Sequence, residues 1–162
     1  MRCVIQRVTS ASVKVDGETV SSIHRGLCVL VGLSTEDKRE SLEWMSKKLL
    51  SVRFFEGEDG KMWKRNVQEI QGEILLVSQF TLHFRLVFMR SSDRHCTDSL
   101  QGSKVRTWIF QRACRQKLLE RCTKVKDGKF GAKMEVEICN DGPVCACFIS
   151  HSTHRAAGHN AD

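Results

Sequence analysis

The chain has 162 residues, which corresponds to about one domain. Lysine and arginine number 26 against 19 acidic residues, giving a net charge of +7, and 41% hydrophobic residues exclude a disordered chain. The longest apolar stretch, residues 27–33, is far shorter than the roughly 20 residues of a membrane-spanning helix, and residues 1–15 lack the apolar segment of a signal peptide, so we expect a cytoplasmic protein with no membrane partner.

The eight cysteines are too few for a small disulfide scaffold, and none of them has C-x-x-C spacing. This pattern favours reduced thiols that pack as small hydrophobic residues. The histidines are scattered, and three of the six, His151, His154 and His159, lie in the C-terminal tail. We therefore expect no metal site and no cofactor.

The N-terminal half predicts a series of strands and one helix. Alternating patterns indicate strands at residues 4–8, 11–15 and 19–23, the last two joined by a turn at Asp16-Gly17. Residues 27–31 and 73–80 have no polar alternation, which is typical of strands that are buried on both faces. Between them, Ser34, Thr35 and Asp37 precede a helical stripe made of Leu42, Met45, Leu49 and Leu50.

The C-terminal half predicts a second helix over residues 101–122. Its inward side chains would be Val105, Trp108, Ile109, Ala113 and Leu119, although Arg112 falls on the same stripe. Strands at 134–138 and 144–149 are predicted to flank a turn at 139–143. The expected fold is a single α/β domain over residues 1–150, with mixed, mainly antiparallel sheets and two packed helices, followed by a flexible tail over 151–162.

Ser78, Gln79, Phe80 and Thr81 end a buried strand and begin an irregular segment. Two hydroxyls, an amide and several backbone N–H groups suit polar recognition or the stabilisation of an oxyanion. No G-x-S-x-G motif surrounds Ser78, which argues against a serine hydrolase. The histidine nearest to Thr81 in sequence is His83, which would share a face with Thr81 only if the strand continued, and His95 could approach Thr81 only through the fold. The sequence therefore shows no base placed to activate a nucleophile.

Pro143 is the only proline and directly follows Gly142. An X–Pro peptide bond is one of the few that adopts the cis form at modest cost. An ordinary turn is the alternative, since Asn-Asp-Gly is common in turns.

Four segments together resemble one known family. They are MRCVIQRVTSASVKVDGE at the N-terminus, SQFTL at residues 78–82, KDGKFGAKM at 126–134 and NDGPV at 140–144. In this order over residues 1–150, they are similar to the D-aminoacyl-tRNA deacylases, also called D-tyrosyl-tRNA deacylases, of the bacterial and eukaryotic type.

The resemblance implies an enzyme that hydrolyses the ester between a D-amino acid and the 3′-terminal adenosine of tRNA, and that also acts on glycyl-tRNA mischarged on tRNA-Ala. Such activity is chiral proofreading in translation. It further implies a homodimer in which Gly142 and Pro143 of one subunit, joined by a cis peptide bond, enter the active site of the other. Their backbone would exclude an L side chain by steric clash.

The resemblance also assigns residues. Gln79, Phe80 and Thr81 would form the catalytic pocket with Gly142 and Pro143. Backbone N–H groups near Phe80 and Thr81 would polarise the ester carbonyl. Substrate binding would further involve four residues, with Phe130 near the terminal adenine and Arg7 supporting the Gly-Pro segment; the four are Ser78, Phe130, Asn140 and Arg7.

This chain departs from the family pattern in three places. Cys145 stands where a threonine is usual, the segment after Leu82 keeps Asp93 and His95 but lacks a glycine, and Thr107 replaces an aromatic residue. These differences leave open a tRNA-binding protein without turnover.

A thiol-dependent enzyme is a further alternative. Cys145 and Cys147 are two residues apart in a predicted strand, so they share a face. That face could border a pocket or the core, and the only histidine near them in sequence is His151, in the tail.

Overall fold

The computed structural model describes residues 1–34, 36–83, 112–113, 115–116, 118–120 and 124–150. These residues form one mixed six-stranded sheet, one α-helix with defined ends, and a short 3₁₀ turn. The strands are β1 (Arg2–Val15), β2 (Glu18–Ile23), β3 (Gly26–Gly32), β4 (Glu73–Ser78), β5 (Val125–Asp127) and β6 (Glu135–Ile149). The predicted tail, residues 151–162, lies outside the described residues.

Strand β1 organises the sheet because it pairs with three other strands. Its N-terminal half pairs with β3 and its C-terminal half with β2, while β6 runs along nearly its whole length, in each case antiparallel. The prediction of two separate strands at 4–8 and 11–15 is wrong. Strand β1 continues through Thr9 and Ser10 because it stays paired with β6 on both sides of this stretch. The register of the pairing shifts here, and the extra residues are in β6.

Strands β3, β4 and β5 are parallel neighbours. Their carboxyl ends, at Gly32, Ser78 and Asp127, therefore meet at one edge of the sheet. With three antiparallel and two parallel pairings, the sheet is mixed, and the expectation of a mainly antiparallel arrangement in more than one sheet is only partly correct. Parallel strands cannot be joined by a short turn, so longer segments of chain connect β3 to β4 and β4 to β5.

The helix α1 (Arg39–Ser51) follows the predicted stripe. Leu42, Met45, Leu49 and Leu50 are all buried against the sheet, as predicted. Asp37 does not cap the helix, whose N-cap Lys38 has no side-chain cap; Asp37 instead accepts a hydrogen bond from the Ser34 N–H and pairs with the amino group of Met1. None of the helical segments in the described ranges is long and apolar enough to cross a bilayer.

The second predicted helix lies largely outside the described residues. Those that are described between 112 and 119 are helical, and Leu118 is fully buried. Arg112 is exposed, so it does not interrupt the apolar face. Within the described part of the chain, α1 is therefore the one helix with defined ends, and the expectation of two packed helices is not fully matched.

Apolar clusters cover both faces of the central strands, which confirms that β3 and β4 are buried on both sides. Burial raises the pKa of the Cys28 thiol to about 11, so this thiol stays protonated at neutral pH. The sheet curls toward a barrel, and the Lys126 ammonium on β5 donates to the Ser22 carbonyl on β2, 2.5 Å away.

The predicted hairpin at residues 134–149 is a single strand, β6. Gln6 pairs with Cys145 and Val8 with Asn140, so four residues of β6, 141–144, lie opposite Arg7 alone. The extra residues form a bulge rather than a chain reversal because β1 pairs with β6 on both sides of them.

Candidate active site

The guanidinium of Arg7 contacts the bulge of β6, and Arg7 itself is buried, with 2% of its surface exposed. Its Nη1 donates to the Phe54 carbonyl at 2.6 Å. Its Nε donates to the Asp141 carbonyl at 3.2 Å and lies 3.1 Å from the Asp141 carboxylate. The planar guanidinium, which is carried on β1, is therefore hydrogen-bonded both to the segment after α1 and to the bulge.

The side-chain amide of Asn140 also stabilises the bulge. Its Oδ1 accepts a hydrogen bond from the Val144 N–H at 3.2 Å, across the Asp-Gly-Pro segment. The structure thus places Asn140, predicted to bind substrate, in a position that shapes the Gly142-Pro143 backbone.

Gly142 and Pro143 are exposed at the outer edge of the bulge. Gly142 has φ +107°, and a Cβ built on it would lie 2.5 Å from Nη2 of the pinned Arg7 side chain. Only glycine fits there without displacing Arg7. The described residues contain no cis peptide bond, so the predicted cis Gly142–Pro143 bond is not present in this chain, where the extended bulge accommodates the ordinary trans form.

The segment Ser78–Thr81 follows the carboxyl end of β4, as predicted, but the strand ends at Ser78 and not at Phe80. The Gln79 N–H donates to the Val31 carbonyl at 2.7 Å, and a 3₁₀ turn (Phe80–His83) begins immediately afterwards. The Gln79 amide donates to the Thr81 hydroxyl. Phe80 is 54% exposed, so the turn presents an aromatic ring and polar groups together at the surface.

His83 ends this turn and packs against Gly32 of the sheet. A hydrogen bond joins it to the Gly32 backbone, and its Nε2 is buried without a hydrogen-bond partner. Burial is the main cause that lowers its pKa. His95, the other histidine considered as a base, lies outside the described residues.

Phe130 is half-buried in a turn that follows β5. The Gly128 N–H donates to the Leu76 carbonyl on β4 at 2.9 Å, which ties the turn to the strand that ends at Ser78. The predicted adenine-binding residue and the SQFTL segment therefore share the edge formed by the carboxyl ends of the parallel strands.

The two predicted motifs are far apart within one copy of the chain. Ser78 pairs with Val31, which pairs with Cys3, and Arg7 lies four residues farther along β1 beside the bulge. Three strand spacings of about 4.8 Å and four residues of about 3.3 Å place them roughly 20 Å apart. One copy does not bring Gly142 and Pro143 to Thr81.

Beside the 3₁₀ turn, the described residues leave part of one face of the sheet uncovered. This open face is formed by the N-terminal half of β1, by Leu30 at the one partly exposed position of β3, and by the C-terminal half of β6, and its side chains lie in rows across the strands. A Cβ on Gly32 would lie 2.8 Å from Leu82 Cβ, which shows that the turn packs on this same face. Its residues are half-buried or exposed, with Ile149 at 44%: Arg2, Val4, Gln6, Leu30, Cys145, Cys147 and Ile149.

Comparisons with known proteins identify the family. The family described as D-Tyr-tRNA(Tyr) deacylase matches residues 4–149. The human "D-aminoacyl-tRNA deacylase 1" is 46% identical over 149 residues, covering 89% of this chain and 68% of the human protein. The chain belongs to the D-Tyr-tRNA(Tyr) deacylase family.

Another curated relative and two solved structures are similar over nearly their whole length. The "D-aminoacyl-tRNA deacylase" of Drosophila melanogaster is 44% identical, with 89% of each chain covered. A solved structure titled "c-Myc DNA Unwinding Element Binding Protein" superposes with a TM-score of 0.81 at 42% identity, covering 94% of this chain and all of that one. A second, titled as a probable eukaryotic D-amino acid tRNA deacylase, has a TM-score of 0.64 at 20% identity and supports the fold alone.

Within this deacylase, the family resemblance indicated that Arg7 supports the Gly-Pro segment, but it did not indicate which groups Arg7 contacts. The Phe54 carbonyl and the Asp141 carboxylate come from segments far from Arg7 in sequence. Gly32, which allows the 3₁₀ turn to approach the sheet, lies outside the four sequence motifs. Within the described part of the chain no three His, Cys, Asp or Glu side chains come together in a group that could hold a metal ion.

Arg7→Lys tests whether the guanidinium fork of the deacylase positions the bulge. A lysine keeps the charge but cannot bond Phe54 and Asp141 together, so we expect the free energy of unfolding to fall by about 1–3 kcal/mol. We expect deacylase kcat/KM to fall roughly tenfold, about 1.4 kcal/mol, because the bulge loses its orientation. Urea denaturation and steady-state kinetics measure the two effects.

Arg53→Lys is the matched control, because Arg53 is exposed. We expect little change in either quantity for this variant. Equal behaviour of the two variants would contradict the role of Arg7.

Proposed function

We propose that this chain is a D-aminoacyl-tRNA deacylase, an ester hydrolase that releases a D-amino acid and free tRNA. The observation that carries this proposal is the family match over residues 4–149, which spans SQFTL, KDGKFGAKM and NDGPV together. By removing D-amino acids before they reach the ribosome, the enzyme would proofread chirality in translation.

The reaction needs little from side chains because an aminoacyl ester is already activated. Phe80 and Thr81 begin the 3₁₀ turn, and the family resemblance implies that their backbone N–H groups face the substrate. Directed at the ester carbonyl, they would stabilise the oxyanion that forms when water adds to the carbon. The new C–O bond then replaces the ester bond, and the ribose hydroxyl leaves with a proton.

Thr81 is a poor candidate for the nucleophile. Its hydroxyl accepts a hydrogen bond from the Gln79 amide, a group that cannot remove a proton. His83 packs over Gly32. A bound water assisted by the ribose 2′-hydroxyl of the tRNA therefore fits the site better than covalent catalysis.

Chiral selection would come from the backbone of Gly142 and Pro143 supplied by a second copy of the chain. The bulge is exposed, its glycine leaves room for a close approach, and in one copy it lies roughly 20 Å from Thr81 by the strand spacing. A backbone selector clashes with an L side chain and ignores the identity of a D side chain. Glycine has no side chain to clash, so glycyl-tRNA mischarged on tRNA-Ala would also be accepted.

The open face of the sheet is the surface on which a second copy would pack. It is largely uncharged, it carries the exposed Ile149, and it adjoins the 3₁₀ turn at Gly32. A two-fold arrangement brings the same face of each copy into contact, so each bulge would approach the turn of its partner. This arrangement supports a symmetric homodimer.

The aminoacyl-tRNA substrate is used by ribosomes, so we place the enzyme in the cytoplasm. The described cysteines are free thiols, as expected in a reducing compartment. Cys145 and Cys147 are exposed and share the open face, but His24 and His83, the histidines among the described residues, belong to other segments. A thiol-dependent mechanism therefore gains no support.

Hydrolysis of matched D- and L-aminoacyl-tRNA tests the function. We expect kcat/KM for the D form to exceed that for the L form by roughly a hundredfold or more, which corresponds to about 2.7 kcal/mol. Equal rates would contradict chiral proofreading. Binding of tRNA without hydrolysis of either form would favour a tRNA-binding protein that has lost turnover.

Sedimentation velocity tests the second copy. We expect a dimer at micromolar concentration, and Ile149→Asp should shift it toward the monomer because the charge would be buried at the interface. Val20→Asp, at another exposed apolar residue, is the control. A fully active monomer would contradict an active site completed by a partner.

Two substitutions separate backbone from side-chain chemistry. We expect Thr81→Ala to lower kcat for D-aminoacyl-tRNA at most roughly tenfold, about 1.4 kcal/mol, because no covalent intermediate forms on its hydroxyl. We expect Gly142→Ala to lower the D/L ratio of kcat/KM, because the added Cβ meets Arg7 and moves the selector.

Gly17→Ala is the control for the second substitution, because Gly17 also has positive φ but open space around it. An inactive Thr81→Ala variant together with an unchanged D/L ratio in Gly142→Ala would show that side chains carry the chemistry.

A further inference from the structure

The turn that carries Phe130 has a defined shape. The Ala132 N–H donates to the Lys129 carbonyl at 3.3 Å, and Gly131 has φ +79°, which together fit a type II turn with Phe130 and Gly131 as its central residues. The two ends of the segment are also close, because a Cβ on Gly128 would lie 2.7 Å from Met134 Sδ. Phe130 is thus presented at the corner of an ordered loop.

Two lysines flank this corner, and both are exposed. Within the described ranges neither Lys129 nor Lys133 forms an ion pair or a hydrogen bond through its side chain. Other lysines in the same part of the structure are engaged: Lys14 pairs with Glu137, and Lys126 lies 3.7 Å from Glu73. The turn therefore carries two positive charges that the protein itself does not neutralise.

The acidic groups near the turn have other partners. Asp127 lies 3.5 Å from the Arg115 guanidinium. Glu135 is paired in register with Lys14 and contributes to raising its pKa. Neither carboxylate cancels the charge of Lys129 or Lys133, so an anion from outside the chain fits this surface.

We propose that Lys129 and Lys133 bind backbone phosphates of the tRNA 3′ strand immediately preceding the terminal adenosine. This inference rests on the proposed function and on the family resemblance, which implies that this adenosine lies near Phe130. Consecutive Cα atoms are about 3.8 Å apart, so Lys129, next to Phe130, reaches the phosphates beside a base held there. Lys133 is three residues from Phe130, at most about 11 Å along the chain, so its long side chain can reach the same stretch of backbone. The lysines would recognise the strand by charge and leave its sequence unread.

The proposed phosphate contact would affect two kinds of substrate differently. A D-aminoacyl-adenosine has the ester and the adenine but no preceding phosphate, so the lysines cannot contribute to its binding. A D-aminoacyl-tRNA has both. The lysines should therefore act on the binding of tRNA and leave the chemistry of the ester unchanged.

The experiment compares wild type, a Lys129→Ala/Lys133→Ala double variant, and a Lys38→Ala/Lys47→Ala control that removes the same charge from exposed positions at the start of and within α1. Binding of uncharged tRNA is measured as a function of salt. We expect the turn variant to bind roughly tenfold more weakly at low salt. Its plot of log Kd against log salt should be shallower by about 1.4, or about 0.7 for each phosphate contact to a single strand.

Kinetics with the two substrates complete the test. The turn variant should show a raised KM for D-aminoacyl-tRNA with little change in kcat, and unchanged kinetics with D-aminoacyl-adenosine. Lys129→Arg/Lys133→Arg should restore tRNA binding. Equal salt dependence in the turn variant and the control, or loss of activity on D-aminoacyl-adenosine, would overturn the inference.

The binding measurement keeps the two proposals apart. If wild type hydrolyses neither substrate but the turn variant still loses salt-dependent tRNA binding, the proposed function fails while the phosphate contact stands. If wild type hydrolyses both and the turn variant binds tRNA like the control, only the phosphate contact fails.

Discussion

The buried guanidinium of Arg7 is the interaction on which the candidate site depends. It lies opposite the four-residue bulge of β6 and bonds to both the Asp141 backbone and the Phe54 carbonyl. A buried cation is unfavourable unless it is paired and hydrogen-bonded, so each contact supports the others. The shape of the Gly142-Pro143 segment is thereby coupled to the packing of β1 against the segment that follows α1.

Strand order determines which parts of the site meet in one chain and which do not. The carboxyl ends of β3, β4 and β5 lie together because these strands are parallel, so the SQFTL segment and the Phe130 turn share an edge. The bulge lies on β6, which is separated from β4 by β1 and β3. In the proposed active site, which combines both edges, the bulge would therefore come from a second copy packed on the open face beside Gly32.

The chemistry proposed for this site relies on backbone more than on side chains. The Thr81 hydroxyl is hydrogen-bonded to the Gln79 amide, His83 packs on the sheet, and Gly142 has no side chain. Such a site discriminates by shape and by the direction of N–H groups, which suits an activated ester. It also makes the supports of the backbone, Arg7 and Asn140, as important as the groups that contact substrate.

Local pattern by itself determined the helix stripe at Leu42 to Leu50, the doubly buried strands β3 and β4, and, through the motifs, the family of the chain, because these depend on residues that are close in sequence. Tertiary structure decided the rest. The pattern at 139–143 has strong turn residues and predicted a hairpin, but pairing with β1 on both sides turned it into a bulge. The resemblance indicated that Arg7 supports the Gly-Pro segment, but its hydrogen bond to the Phe54 carbonyl was decided only in the fold, because a contact between residues so far apart in sequence depends on how the strands and the helix pack.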